Sequence, residues 1–323
     1  MSLNAKVASA DAPKKFNFEM PDIKEFLKVG VQFGHQSKKW NPKMKSYIFG
    51  KKENIHIIDI SQSLPALQEA MQFLAKAASE GSILLVGTKR QAADIVKKTA
   101  IETGAHYITH RWPGGLLTNF EMIQRSLKKF MTLEHEFKTG VEGRTKFEVS
   151  QMKKDWEKMN RLYEGVKTMT QYPKAVVVID SNYERNAIKE ARGLNIPVIG
   201  LVDTNCDPEA VDYAIPANDD AIGSINLLVG LLGKAIKTGN GGRGIKHELI
   251  DYSTYEVKIV RIEQQAEKKV EIQTSAEVKT ETPRPAKIEK KPTKATKAGK
   301  GLLEDIQKNK ETAKRQKATK ARK

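Results

Sequence analysis

Short runs of apolar, β-branched residues alternate with helix-like segments from about residue 55 onward. The predicted strands are Ile55–Ile60, Ile83–Val86, His106–Thr109, Ala175–Ile179 and Val198–Val202. Helical spacing of apolar residues predicts helices over Leu64–Ala78, through Ala92, Ile95 and Val96, and over Glu184–Leu194 and Ala221–Ile236. Short buried strands that alternate with helices are typical of a parallel sheet covered on both faces. The sequence therefore predicts a doubly wound α/β fold.

A long insertion separates the third and fourth of these strands, about 65 residues where a minimal crossover needs about a dozen. It contains two segments with apolar residues three and four positions apart. The first has Phe120, Ile123, Leu127, Phe130 and Phe137, and the second has Met152, Trp156, Met159, Tyr163, Val166 and Thr170. Gly140 and Gly143 lie between them. This heptad-like pattern predicts an antiparallel helical hairpin, a coiled-coil arm over residues 119–171 that protrudes from the sheet.

The remaining segments divide the chain into three parts. Residues 1–17 are small, polar and charged, and we expect a flexible lead-in. Residues 18–263 form the α/β domain, which begins with a short helix after Asp22 and continues with loops and a short hairpin over 32–52. Residues 264–323 are rich in Lys, Glu, Thr, Ala and Pro, which cannot build a core, so we expect a disordered extension.

The distribution of charge along the chain supports this division. The formal net charge is +17, and residues 264–323 contribute +10 of it, with 18 Lys+Arg against 8 Asp+Glu. Such basic segments are common in proteins that bind polyanions. The single cysteine, Cys206, excludes an internal disulfide and favours a reducing compartment. The apolar stretch Ala221–Gly233 is too short to cross a bilayer, and the start of the chain lacks a signal sequence, so we expect a soluble, cytoplasmic protein without membrane contact.

Cations and aromatic residues are interleaved between residues 38 and 49. Lys38, Lys39, Lys43 and Lys45 surround Trp40, and Tyr47 and Phe49 follow. Lysines that neutralise phosphates, next to a ring that stacks on a base or ribose, suit RNA binding. The alternative, a solvated basic loop whose tryptophan fills the edge of the core, is equally compatible with the pattern.

Val86–Arg90 lies where a predicted strand ends and a helix begins. Thr88 can cap that helix, and the free amides together with Lys89 and Arg90 would hold a phosphate of RNA. The segment lacks the glycines and the terminal Lys-Ser/Thr of a Walker motif. An ordinary helix cap with exposed basic neighbours explains the segment better than a nucleotide-binding site does.

Residues Arg111–Phe120 predict a sharp corner before the first helix of the insertion. Arg111 and Trp112 offer a cation and an indole for RNA, two glycines free the backbone, and Thr118 and Asn119 suit a helix cap. A tight turn with an N-cap explains the same residues without a ligand.

Aspartates follow the predicted strands and suggest an enzyme as the rival hypothesis. Asp180, Asp203, Asp207, Asp219 and Asp220 could hold Mg²⁺ for phosphoryl chemistry. Turn and cap roles are favoured, because such loops use Asp and Asn routinely and no nucleophile or base accompanies them. Of the six histidines only His106 and His110 are four residues apart, and they lack the glutamate of a zinc-protease helix. A zinc site with Cys206 is the alternative to solvated or core-edge histidines, which are the favoured interpretation. The sequence thus predicts no catalytic residue, no metal ligand and no cofactor.

Several ordered blocks resemble the bacterial small-subunit ribosomal protein two family. They are Gly34-His35-Gln36, Trp40–Met44, Tyr47–Gly50, His56–Asp59, Val86–Lys89, Arg111–Phe120, Asp203-Thr204-Asn205 with Asp207-Pro208, and Ile215-Pro216 with Asn218–Asp220. Together they cover about residues 20–237. Pro113 departs from the pattern, since the family usually carries an apolar residue other than proline there. The lead-in before Phe16 and the basic extension from about Gln264 lie outside the resemblance.

The resemblance implies a flavodoxin-like α/β domain with a protruding helical hairpin and no catalytic role. It further implies one copy per ribosome, bound to small-subunit ribosomal RNA beside neighbouring small-subunit proteins. It also implies that the chain helps to seat one of these neighbours, the large mRNA-binding ribosomal protein one. On this hypothesis the RNA-binding residues are Lys38, Lys39, Trp40, Lys43, Lys45, Lys89, Arg90, Arg111 and Trp112. A third hypothesis, a free nucleic-acid chaperone driven by its tail, requires that loss of 264–323 abolish binding.

Overall fold

The computed structural model describes residues 16–139, 141–245, 247 and 259–260. Most of the lead-in, residues 1–15, and the whole of 264–323 lie outside the described residues, so the flexibility predicted for them stays a prediction. The end of the lead-in is anchored: the Phe16 amide donates to Gln72 Oε1 at 3.0 Å, and the Phe16 ring stacks on Phe18. All described residues belong to a unit that ends at Ile262.

A small antiparallel sheet follows the first helix. After α1 (Ile23–Val29) come β1 (Phe33–Gln36), β2 (Ile48–Lys52) and β3 (Ile55–Ile58), with β3 in the middle. Glu53 and Asn54 have φ of 50° and 64°, as a tight hairpin turn requires. The assignment of Ile55–Ile60 to the parallel sheet was therefore wrong. A short run of isoleucines fits either kind of sheet, and only the hairpin turn distinguishes them.

Helix α1 also differs in detail from its prediction. The spacing of Ile23, Phe26, Leu27 and Val31 predicts that they share one face of this helix. Phe26 and Val31 are buried, but Ile23 and Leu27 are exposed. Asp22 occupies the N-cap position without a side-chain hydrogen bond to the helix.

The other elements alternate between helices and strands. In chain order they are α2 (Ile60–Glu80), β4 (Ile83–Val86), α3 (Arg90–Thr103), β5 (His106–Ile108), α4 (Phe120–Thr139), β6 (Val141–Glu142), α5 (Lys146–Tyr163), β7 (Ala175–Ile179), α6 (Arg185–Gly193), β8 (Val198–Val202), β9 (Tyr213–Pro216), α7 (Ile222–Asn240) and β10 (Ile259–Val260). Helix α2 begins four residues earlier than predicted, because Asp59 accepts from the Ser61 amide and caps it.

Five parallel strands form the main sheet in the order β5-β4-β7-β8-β9. Counted along the chain within this sheet, that order is 2-1-3-4-5, which is the flavodoxin-like doubly wound order. The predicted α/β class is confirmed. The edge strand β9 was not predicted, since four residues that end in proline carry too weak a strand signal.

Both faces of this sheet are covered, as its sequence predicts. Along β4, Ile83 and Leu85 pack into a core with α2, α3 and α7, whereas Leu84 and Val86 pack into a second core with α6 and the start of α4. Alternate residues of a strand point to opposite faces, so a run of four apolar residues serves two cores.

The two helices predicted in the insertion are present and pack on each other. Phe130, Phe137, Val149, Met152 and Trp156 form a separate apolar cluster between α4 and α5. Thr145 and Glu148 form a reciprocal capping box at the start of α5. That these helices protrude as a coiled coil stays a prediction.

Candidate nucleic-acid interface

The carboxyl ends of the parallel strands bring one lysine and four aspartates together. Lys89 Nζ lies 2.8 Å from Asp219 Oδ1, 2.6 Å from Asp220 Oδ1 and 3.3 Å from Asp180 Oδ2. With Asp203 these residues define the switch-point crevice, because β4 and β7 meet where the strand order reverses, which is where open α/β sheets bind ligands. Here the protein's own ammonium group occupies that position, and the Lys89 side chain is only 14% exposed.

The electrostatics of the crevice follow from its burial. Burial, and then the charges of Asp180 and Asp203, raise the pKa of Asp219 to about 8. Burial lowers the pKa of Lys89, but the aspartates outweigh it and raise that pKa above its usual value. A hydrogen bond with Asp203 raises the pKa of His35 against the effect of burial. The group is therefore a coupled internal charge cluster in which one lysine only partly compensates the aspartates around it.

Several of the strand-end polar residues hold turns, as expected. Asp180 Oδ1 accepts from the amides of Asn182 and Tyr183 at 3.0 Å each. Asp207 Oδ1 accepts from the Glu209 amide at 3.1 Å. The predicted turn role is confirmed for both aspartates.

Two sets of side chains in the crevice could hold a cation. The ligand atoms of His35, Asp203 and Asp219 lie within 4.8 Å of one another, and so do those of Asp180, Cys206 and Asp219. Burial raises the pKa of Cys206 to about 12, so its thiol keeps its proton and is a poor ligand. The first set is the better donor group, and a cation there would compete with Lys89 for Asp219.

The phosphate site expected at Val86–Arg90 is not an open one. The Thr88 amide donates to Glu184 Oε1 at 2.8 Å, and Lys89 points into the acidic crevice. Thr88 therefore bonds to Glu184 and does not cap α3, whose N-cap residue is Lys89. Arg90 is exposed. This geometry argues against Lys89 as an RNA contact and leaves Arg90 accessible.

The basic loop, residues 37–47, presents its lysines to solvent. Lys38, Lys39 and Lys45 are exposed and form no ion pair with any described residue. Lys43 is different, because its ammonium group lies 2.9 Å from Asp207 Oδ2 and also contacts Glu209. Met44 is fully buried and anchors the loop to the second core.

Trp40 lies half open at the edge of this loop. Its ring centroid is 5.4 Å from that of His56, and 36% of the residue is exposed. The neighbouring Asn41 amide donates to the Thr204 carbonyl at 2.7 Å, which ties the loop to the end of β8. The loop is thus fixed in place while Trp40 stays partly exposed.

The corner, residues 111–120, is organised by Glu190 of α6, which the sequence analysis did not identify. Its Oε1 accepts from Trp112 Nε1 at 2.9 Å and from the Gly115 amide at 2.8 Å, and its Oε2 accepts from the Leu117 amide at 3.1 Å. Trp112 is only 7% exposed. The indole therefore stabilises the corner, and this burial argues against stacking on RNA, whereas Arg111 is exposed.

Fold and site together define a class: a flavodoxin-like α/β protein whose switch-point crevice is filled by its own ion pairs and whose basic loop presents exposed lysines. The chain belongs to the ribosomal protein S2 family, because the model of that family matches residues 26–239. It has a structural role in the small ribosomal subunit, and it is ribosome-associated and cytoplasmic. No helix among the described residues is long and apolar enough to cross a membrane.

Proposed function

We propose that the protein holds small-subunit ribosomal RNA through the basic loop and the corner. The observation that carries this proposal is the exposure of Lys38, Lys39 and Lys45 without ion-pair partners among the described residues. Unpaired lysines on a fixed loop attract phosphates and release the counterions condensed on RNA. Arg111 and Arg90 add exposed cations outside the loop. Membership of the ribosomal protein S2 family supports the small ribosomal subunit as the source of that RNA.

We further propose that the small antiparallel sheet helps to seat the mRNA-binding ribosomal protein one. Phe49 on β2 is 80% exposed, and Phe33 and Ile55 on the neighbouring strands are also exposed. Large apolar side chains that remain open on a rigid sheet favour contact with another protein. The adjacent basic loop would then place that protein beside RNA. One copy of this chain per ribosome is part of the proposal.

Sedimentation tests the ribosomal role directly. Lysate should be run on sucrose gradients at low and moderate salt, and this chain should be detected by immunoblot. We expect it to migrate with the small subunit at both salt concentrations. A chain found only at the top of the gradient would contradict the role and would direct attention to the aspartates of the crevice.

Neutralising the basic loop should weaken RNA binding. For the variant Lys38→Gln, Lys39→Gln, Lys45→Gln, we expect the dissociation constant for purified small-subunit RNA to rise about tenfold or more. We also expect the slope of log K against log salt to fall by about 2, because each lost phosphate contact on a single strand removes about 0.7. Filter binding over a salt series measures both quantities.

The control replaces three exposed lysines that lie outside the loop. Lys24→Gln, Lys28→Gln, Lys76→Gln removes the same charge from α1 and α2. It should leave the slope nearly unchanged. Equal losses in the two variants would mean that net charge, and not the loop, determines binding.

A further inference from the structure

A groove of about 590 Å³ lies between the corner and helix α5. Residues 110–114 form one wall, and residues of the second half of α5, from Lys154 to Leu162, form the other. The sequence predicted α5 as part of the helical arm, which was expected to help hold the protein on the ribosome, but no residue of α5 was identified as an RNA contact.

One wall of the groove is a line of cations. Lys154, Lys158 and Arg161 are four and three positions apart and so lie on one side of α5, over a length of about 10 Å. All three are exposed, and none forms an ion pair with a residue that the structure describes. Arg111 adds a fourth cation from the opposite wall, and Glu157 is the only carboxylate residue in the lining.

The opposite wall is held in a fixed shape. Glu190 binds the amides of Gly115 and Leu117, and Gly115 has φ of 79°, which favours glycine. Next to it, a Cβ added at Gly114 would meet nothing within 4 Å. The backbone of the corner is therefore preorganised and open to close approach. Pro113 and Leu162 give the groove an apolar part.

We propose that this groove binds the sugar–phosphate backbone of an unpaired segment of ribosomal RNA, with a ribose or base against its apolar part. The inference rests on the proposed function and extends its contact at the corner onto α5. A line of cations suits a repeating phosphate chain, and a guanidinium group binds phosphate oxygens through two hydrogen bonds. A single free phosphate would leave most of these cations unneutralised. An acidic peptide lacks the ribose units, and it lacks the backbone charge at every repeat that the line of cations would contact.

Substitutions on α5 test the site without disturbing the fold. In Lys154→Gln, Lys158→Gln, Arg161→Gln the replaced side chains are exposed, and glutamine is about as good a helix former as lysine. For purified small-subunit RNA we expect binding about tenfold weaker and a salt slope lower by about 2, with an unchanged Tm. Inorganic phosphate at millimolar concentration should not compete with the RNA; effective competition would show a simple phosphate site and overturn the proposal.

A matched control removes three exposed lysines of α4 and α5 that do not line the groove. Lys128→Gln, Lys129→Gln, Lys153→Gln should bind RNA as the wild type does. If both triple variants behave alike while the wild type binds RNA, the groove proposal is overturned and the proposed function stands. If the wild type does not bind the RNA at all, the proposed function fails and the groove proposal fails with it.

Cross-linking gives a second readout that does not depend on affinity. Cys206 is fully buried, so a cysteine introduced on α5 is the accessible thiol for a photoreactive label. Labelled Lys158→Cys should cross-link to RNA in assembled small subunits, and labelled Lys153→Cys should not. Cross-links from position 153 alone, or cross-links from 158 to protein alone, would overturn the assignment.

Discussion

Lys89→Met is expected to lower the free energy of unfolding by about 3 to 5 kcal/mol, the usual cost of removing one partner from a buried ion pair. The methionine fills similar space, so the loss comes from charge and not from a cavity. Asp180 and Asp219 would remain buried without their cation. Urea denaturation followed by circular dichroism measures the change.

Two further variants distinguish the loss of the buried ion pairs from the loss of an ordinary surface lysine on α3. Lys97 bridges Glu164 at the surface at 2.9 Å, so Lys97→Met should cost less than about 1 kcal/mol. Adding Asp219→Asn to Lys89→Met should restore part of the stability, because it removes a buried carboxyl whose raised pKa makes its ionisation oppose folding at neutral pH. Equal losses for Lys89→Met and Lys97→Met would show that the crevice is not an energetically coupled charge cluster.

Glu190→Ala is expected to cost about 3 kcal/mol and to loosen the corner. Its removal leaves the Trp112 indole N–H and the Leu117 amide without an acceptor in a buried region, at about 1 to 3 kcal/mol for each unsatisfied donor. Tryptophan fluorescence should shift to longer wavelength as water reaches the ring. The neighbouring exposed Lys189, replaced by alanine, serves as the control and should cost less than about 0.5 kcal/mol.

Part of the Glu190 contribution depends on pH. Burial raises the pKa of this carboxyl, but hydrogen bonds from Trp112 and the amides of Gly115 and Leu117 outweigh it and hold the pKa below its usual value. A lowered pKa in the folded state stabilises the protein above the unfolded value, about 4.3, and that contribution is lost as pH falls through the folded pKa. Glu190→Gln should therefore be less stable than wild type at pH 7, and the difference should shrink below about pH 4. A difference independent of pH would exclude the charge as its cause.

The sequence alone was sufficient to predict the strands whose burial produces a simple hydrophobic pattern. Three of the five parallel strands, β4, β7 and β8, carry uninterrupted apolar runs, because both of their faces are covered. These three and β5 were predicted close to their observed bounds. The edge strand β9 has only four residues and a terminal proline, and it was missed. Strand β3 was identified as a strand but placed in the wrong sheet, since strand propensity does not specify a partner.

The sites were less predictable, because side-chain roles depend on distant parts of the chain. Lys89 follows a strand as a phosphate-binding lysine would, yet Asp219, 130 residues later, neutralises it. Trp112 was chosen as an RNA contact for its indole, but Glu190, 78 residues away, draws that indole into the core. Glu190 itself carries no local signal that distinguishes it from an ordinary surface glutamate of α6.

The pairing of β6 with β10 constrains the order in which parts of the chain fold during biosynthesis. Ile259 and Val260 lie parallel to Val141 and Glu142, in the turn between α4 and α5. The two strands are separated by more than a hundred residues, so this pair forms only after nearly the whole α/β domain has left the exit tunnel. The sheet and both apolar cores can therefore be complete while the turn of the helical pair still awaits its partner strand. Nascent chains should become resistant to protease in that order.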